Sequence, residues 1–284
     1  MLNKINLGLG GGFLLQVANR EHTQMMCYII RTNTGKVIVI DGGNYKRPQD
    51  GETLYQYIMD FGGKVDAWFI THAHSDHVGA IVYIFEKYGN VIDIGTMYLD
   101  YPGREWLLRV NGENKKPGDT WCNDELLRYI ELFDIHCETP KKGDVIDFGV
   151  KFEILNEALR NYEEYEDAND AGICIKAHFE NKTVLFLGDL GVAAQNELIK
   201  DAGDKLRCDI VQMAHHGQNG VDKEVYKRAM PEVCLWPTPD WLWDNDNGGG
   251  IGSGPWLTLE TRKWMDELGV KEHYVAKDGD YLLK

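Results

Sequence analysis

The stretch Trp68–Ala80, WFITHAHSDHVGA, sets His72, His74, Asp76 and His77 into six consecutive positions behind a run of large apolar residues. In extended backbone, residues two apart point to the same side, so His72 and His74 present their imidazoles together. Asp76 and His77 follow after a turn and face a second position nearby. Neutral imidazole is a common zinc ligand, and a carboxylate brings charge to a second cation. A solvated polar loop has no need of so many metal-competent groups in so short a span.

Working outward, the same grammar recurs. Four apolar runs each end in residues able to hold a metal: VIVI into Asp41, AWFIT into His72–His77, TVLFLG into Asp189, and DIVQMA into His215 and His216. Strands in a layered α/β fold bring such ends to one edge, where ligands converge on loops held by a rigid sheet. Asp189, at the end of an all-apolar strand, is a candidate bridging carboxylate. The pair His215-His216 beside Gly217 repeats the logic, and either member could ligate while its neighbour contacts substrate. Asp41, in IDGG, ligates or orients a ligand from behind.

The text between these points is mostly regular. MCYIIRTNTGKVIVIDGG, ICIKAHFENKTVLFLGD and DVIDFGVKFEIL read as strand pairs, and HYVAKDGDYLL as a closing hairpin. GETLYQYIMDFG, VGAIVYIFEKYG, AAQNELIKDAG, DKEVYKRAM and ETRKWMDELG carry helical spacing. NDELLRYIELFDI reads as a helix capped by Asn123, and Tyr101–Thr120 as loop. The glycine-rich DNDNGGGIGSGPW, Asp244–Trp256, reads as a mobile loop on which Trp241, Trp243 and Trp256 could form an aromatic lid.

The 284 residues are 43% hydrophobic and 26% charged, ordinary for a globular chain, and carry a net charge of −15. That balance works against attraction of duplex DNA, and no run of Lys and Arg offsets it. No apolar stretch approaches the roughly 20 residues that span a bilayer, and the N-terminus does not read as a signal peptide. The six scattered cysteines form no CxxC pair and read as reduced thiols, so a cytoplasmic location without membrane partners is expected.

THAHSDHVGA resembles the HxHxDH signature of the metallo-β-lactamase-fold hydrolases, and DGG upstream with GD and HHG downstream keep that superfamily's order. Within it the chain is most similar to the soluble hydrolase domain of bacterial DNA-uptake channel proteins, through Asn169-Asp170, Gly188-Asp189 and His215-His216-Gly217. The resemblance implies one domain over residues 1–284, a four-layer αββα sandwich of two similar halves, with a two-metal site at one edge. His72 and His74 would hold the first ion, Asp76, His77 and His215 the second, and Asp189 would bridge. The ions would be zinc, with manganese as the alternative. Many members place a third histidine on the first ion; here His136 and His178 lie in strand-like text, so Asn169 would face the site instead. Where the nearer relatives carry Tyr-Gly-His-Pro, this chain has SGPWLT, Ser253–Thr258, which points to a different substrate.

Two ions together lower the pKa of a water and stabilise charge on the attacked centre, so no serine or cysteine nucleophile is required. Asp76 and His216 are the candidate catalytic groups, His216 as proton donor to the leaving group. The expected activity is hydrolysis of a phosphodiester in a small nucleotide or single-stranded nucleic acid. The competing readings are hydrolysis of a carboxylic ester, thioester or lactam, and a non-catalytic, metal-stabilised binding protein. Oligomeric state is not readable from the chain.

Overall fold

A computed structural model describes residues 1–112 and 118–284. Strands β1 (Leu2–Ile5) and β2 (Gly12–Gln16) open the chain, followed by the antiparallel pair β3 (Cys27–Thr32) and β4 (Val37–Asp41). Then come α1 (Pro48–Asp60), β5 (Lys64–Phe69), α2 (Ser75–Tyr88), β6 (Asp93–Tyr98), α3 (Arg104–Asn111), α4 (Asp119–Leu132) and β7 (Cys137–Glu138). The second half runs through β8 (Val145–Asp147), β9 (Lys151–Ile154), β10 (Ile175–His178), β11 (Thr183–Phe186), α5 (Gln195–Ala202), β12 (Ile210–Gln212), α6 (Lys223–Ala229) and β13 (Val233–Trp236). It ends with α7 (Asp240–Trp243), α8 (Thr258–Leu268), β14 (Glu272–Val275) and β15 (Asp280–Leu283).

One sheet has the order β1-β15-β2-β3-β4-β5-β6-β7 and the other β14-β13-β12-β11-β10-β9-β8. In each, an antiparallel pair leads into parallel strands joined by helical crossovers: β4 to β7 in the first, β11 to β14 in the second. Parallel strands covered on both faces read as continuous apolar runs, and period-2 alternation sorts their side chains. Tyr28, Ile30, Ile38, Ile40 and Phe69 meet Phe152, Ile175, Val184, Phe186 and Leu235 between the sheets. Their neighbours Cys27, Ile29, Val39 and Trp68 pack under α1, α2 and α4. On the far side Leu185, Val211, Cys234 and Trp236 pack under α5, α6 and α8. Three apolar layers between four structural layers make the αββα sandwich.

Several local expectations change. The presumed loop contains α3, because Trp106 and Leu107 bury against the second half; residues 113–117 of that stretch lie outside the described residues. Helix α4 begins at Asp119, so Asn123 is not its cap. It sits one turn in, where its amide donates to the Ala73 carbonyl at 2.6 Å and to Asp119 O at 2.9 Å. HYVAKDGDYLL is no hairpin: β14 pairs with β13, whereas β15 crosses to the other sheet and pairs with β1 and β2. Buried Asp280 fastens that crossing by accepting from Ala18 N, Arg20 Nη2 and the Tyr57 hydroxyl.

Candidate metal centre

The C-terminal ends of β4, β5, β11 and β12 meet at one edge. Asp76, His77, Asp189 and His216 each place a ligand atom there, all within 4.8 Å of one another. His216 Nε2 lies 3.1 Å from Asp76 Oδ2 and 3.3 Å from Asp189 Oδ2; His77 Nε2 is also 3.3 Å from Asp189 Oδ2. His72 Nε2 and His74 Nδ1 face each other at 3.2 Å.

Each imidazole is held from behind. Asp41, at a left-handed φ of 58° that aspartate tolerates, accepts from Thr71 N, Thr71 Oγ1 and His77 Nδ1, each at 2.8 Å. A proton on His77 Nδ1 leaves Nε2 free to ligate. Thr71 Oγ1, having given its proton to Asp41, accepts from His72 Nδ1 at 3.1 Å, which frees His72 Nε2 in the same way. Asp41 therefore orients His77 directly and His72 through Thr71, and one carboxylate sets the tautomer of two histidines. His216 Nδ1 donates to the Pro237 carbonyl at 2.8 Å, so Nε2 is the nitrogen turned toward the carboxylates.

The order of the histidine pair is the reverse of the expected one. His215 (φ 50°, ψ 50°) and His216 (φ 55°, ψ 21°) are both left-handed, a conformation costing about 1–2 kcal/mol per residue. That twist sends His216, fully buried, toward Asp76, His77 and Asp189. His215 Nε2 instead lies 3.4 Å from Asn169 Nδ2 and 4.0 Å from Asp189 Oδ2. Fully buried among Asp76, His77 and Asp189, His216 is not placed as a proton donor to a leaving group. Gly217 permits the twist: its φ is 80°, and a Cβ there would meet the Trp236 ring at 2.4 Å.

The charges suit a divalent ion. Burial opposes ionisation of His77, but the Asp189 and Asp41 carboxylates overcome it and hold the group well above the usual imidazole range. Burial is likewise outweighed at His216, which Asp189 and Asp76 push up to about 10. Burial would raise Asp76 and Asp189, yet the facing imidazoles hold both well below the usual carboxylate range. Without a metal, the raised imidazoles of His77 and His216 face Asp76 and Asp189, with Asp41 behind His77; one divalent cation would replace two protons there at equal charge. Three fully enclosed atoms, His77 Nε2, Asp189 Oδ1 and Asn169 Oδ1, have no hydrogen-bond partner, as expected of atoms that hold an ion. His72 behaves oppositely: burial, with the charges of His77 and His74, pushes it well below the imidazole range.

Several supporting residues escaped the sequence reading. Gln212, fully buried at the end of β12, accepts from Leu187 N and donates to Gly188 O, which sets the turn carrying Asp189. Thr71 and Gln212 shared one signal, a single polar residue within or at the end of an apolar run. Asp119, whose carboxylate accepts from Ser75 N at 2.7 Å, gave none. Asp170 is structural, accepting from Ala194 N. Trp243 is not free for a lid: it stands edge-on to Trp236 at 5.2 Å beneath the Arg262 guanidinium. Trp241 and Trp256 pack together at 4.8 Å, and the Trp241 indole donates to His22 O. The stretch 244–256 is organised around Asp246, which accepts from Gly248 N and Gly250 N.

Ribonuclease J of Mycoplasma genitalium is 30% identical over 94 residues, covering 33% of this chain and 14% of that protein. Cleavage and polyadenylation specificity factor subunit 3-II of Arabidopsis thaliana is 23% identical over 191 residues, 65% of this chain and 30% of that protein. The chain thus spans less than a third of these curated relatives. Among solved structures, the metallo-beta-lactamase fold protein YhfI of Bacillus subtilis shares a TM-score of 0.53 at 11% identity, over 95% of this chain and 99% of that one. CmlA, a diiron beta-hydroxylase from Streptomyces venezuelae, shares a TM-score of 0.56 at 13% identity, over 97% of this chain and 54% of that one. Those two likenesses establish shape alone. Residues 22–231, most of the chain, match the metallo-beta-lactamase superfamily. With the sandwich fold and the ligand cluster at its edge, that match makes the chain a member of the metallo-β-lactamase superfamily of metal-dependent hydrolases.

Proposed function

We propose that this hydrolase cleaves a phosphodiester bond in a nucleotide or single-stranded nucleic acid, using two divalent ions held within one domain over residues 1–284. The observation that carries the metal reading is the convergence of Asp76, His77, Asp189 and His216 within 4.8 Å. These four would hold one ion, and His72 and His74 another, with Asp189 shared between them. When bound, the ions supply a water-derived nucleophile near neutral pH and stabilise negative charge at the attacked centre and leaving oxygen.

The protein's own residues hold and aim. Asp41 and Thr71 fix His77 and His72 so that both present Nε2, and Pro237 does the same for His216. Asp76 has 19% of its side chain exposed beside fully buried His216, so it stands at the boundary between ligand cluster and solvent. The phosphodiester assignment is supported by two relatives whose names mark them as a ribonuclease and a cleavage factor. The acidic chain, at −15, favours short or unpaired substrates over a duplex. No helix among the described residues is long and apolar enough to cross a membrane. All six cysteines are free, which supports a reducing, cytoplasmic setting, with zinc or manganese as the ion.

The test is turnover of bis(p-nitrophenyl) phosphate and labelled single-stranded RNA by the metal-reloaded protein, with nitrocefin and a thioester in parallel. Phosphodiester cleavage that disappears on chelation and returns with Zn2+ or Mn2+ is the expected result. Turnover of nitrocefin or the thioester without phosphodiester cleavage would replace this reading. Two bound ions with no turnover of any of them would make the protein a metal-stabilised binder.

A further inference from the structure

His72 Nε2 and His74 Nδ1, 3.2 Å apart, are spaced like two ligands of one tetrahedral ion, for which bonds of about 2.0 Å separate donors by roughly 3.3 Å. The histidines between the signature and Asp189 are spoken for elsewhere: His136 faces Glu138 and His178 faces Glu153. We propose that His215, with Asn169 beside it, is the missing donor to the first ion, so that two consecutive histidines of one turn serve the two ions separately. The inference rests on the two-ion reading above.

Position comes first. The left-handed backbone at both residues splits the rings, whose centroids stand 6.2 Å apart. His216 joins Asp76 and His77, whereas His215 Nε2 reaches Asn169 Nδ2 at 3.4 Å while staying 4.0 Å from Asp189 Oδ2. Asn169 belongs to a tight turn, Ala168–Ala171, that lies against the first-ion histidines. Ile173 N just beyond it donates to Thr71 O, and a Cβ on Gly172 would lie 3.6 Å from His72 Cβ. Asp167, at the start of the same turn, puts Oδ1 3.7 Å from His74 Nε2. The Asn169 turn therefore touches the first-ion histidines on one side and His215 on the other, with Asp189 next to His215.

The donor chemistry agrees. Asn169 Nδ2 stands 3.4 Å from His215 Nε2, and an ion at this position would take the single Nε2 lone pair in place of that contact, with the ring proton on Nδ1. Asn169 Oδ1 and Asp189 Oδ1 are enclosed and without partners. Buried acceptors gathered without a donor are satisfied by a cation. The first position converges less tightly than the second, since among the described residues the only set within 4.8 Å is Asp76, His77, Asp189 and His216. The first ion therefore binds more weakly and arrives after the second.

The test is titration of the metal-stripped full chain with Co2+, read by visible absorption and by metal content, for the wild type, His215→Ala, His215→Asn, Asn169→Ala and His216→Ala. The wild type takes two ions in a tight and a weaker step. Both His215 variants weaken the second step at least tenfold and keep the tight one, which also shows that they fold. Asn169→Ala weakens the same step less, and His216→Ala loses the tight step. Two unchanged steps in the His215 variants, or loss of their tight step, would overturn the assignment while leaving the two-ion reading standing. A wild type that takes up no Co2+ overturns both.

Discussion

On one side of Asp189, His77 and His216 have fully buried side chains, and each is fastened from behind by Asp41 or the Pro237 carbonyl. On the other side His74 is 18% and His215 23% exposed, and the donor beside His215 is the short amide of Asn169. Both sides draw on the same residue types and, in the proposed two-ion arrangement, would share Asp189. They differ in what stands behind the histidines: a charged carboxylate and a carbonyl in one case, a neutral amide from the buried turn Ala168–Ala171 in the other. Preorganisation in a metal site comes from the residues that aim the ligands, more than from the ligands themselves.

The comparison breaks altogether if Asp189 is removed as a charge. Asp189→Asn keeps the shape but takes the shared carboxylate from both sides; both ions are lost, and phosphodiesterase turnover falls by at least about 10²–10³-fold. Metal content by mass spectrometry with a turnover assay checks this, and one ion retained at full affinity would show that the two sides are independent. Asp41→Asn sharpens the contrast. Asparagine tolerates the left-handed φ of 58°, so the backbone holds while the charge behind His77 disappears. The tight step should weaken by about 10–100-fold, and the weaker step by less, because only His72 feels Asp41, through Thr71. Equal weakening of the two would dissolve the distinction.

Asp50→Asn should leave both ions in place and alter only pH-dependent stability, so it serves as a control distant from the ligands. Burial lifts this carboxyl to about 6, although it accepts from Arg20 N. A carboxyl with a raised folded pKa binds its proton more tightly when folded. It therefore favours the folded chain at low pH and costs stability as pH rises from about 4 through about 6, by roughly 2–3 kcal/mol at most. Urea midpoints of the wild type should drop across that window relative to Asp50→Asn, which keeps an acceptor for Arg20 N. Parallel curves would place the ionisation elsewhere.

Much of the edge was legible because apolar strands and their polar tips are local text. VIVID, AWFITHAH, TVLFLGD and DIVQMAHH each announced a buried strand and the donors after it. The closing strands were not legible, since HYVAKDGDYLL reads the same whether its halves pair with each other or join opposite sheets. Asn123 was misplaced for a related reason: a polar residue before an apolar helix looks like a cap until Ala73 is seen to need its amide.

Read alone, the chain determined which donors exist and that they follow strands, because strand alternation and ligand chemistry depend on neighbours in sequence. Whether His215 or His216 turns toward Asp76 and Asp189, and which groups brace them, only the tertiary structure decided. The direction of an imidazole depends on its own backbone φ and on what packs behind it. Here those contacts come from Trp236, Pro237 and Asn169, which lie far from the histidine pair in sequence and are brought to it by the packing of the fold.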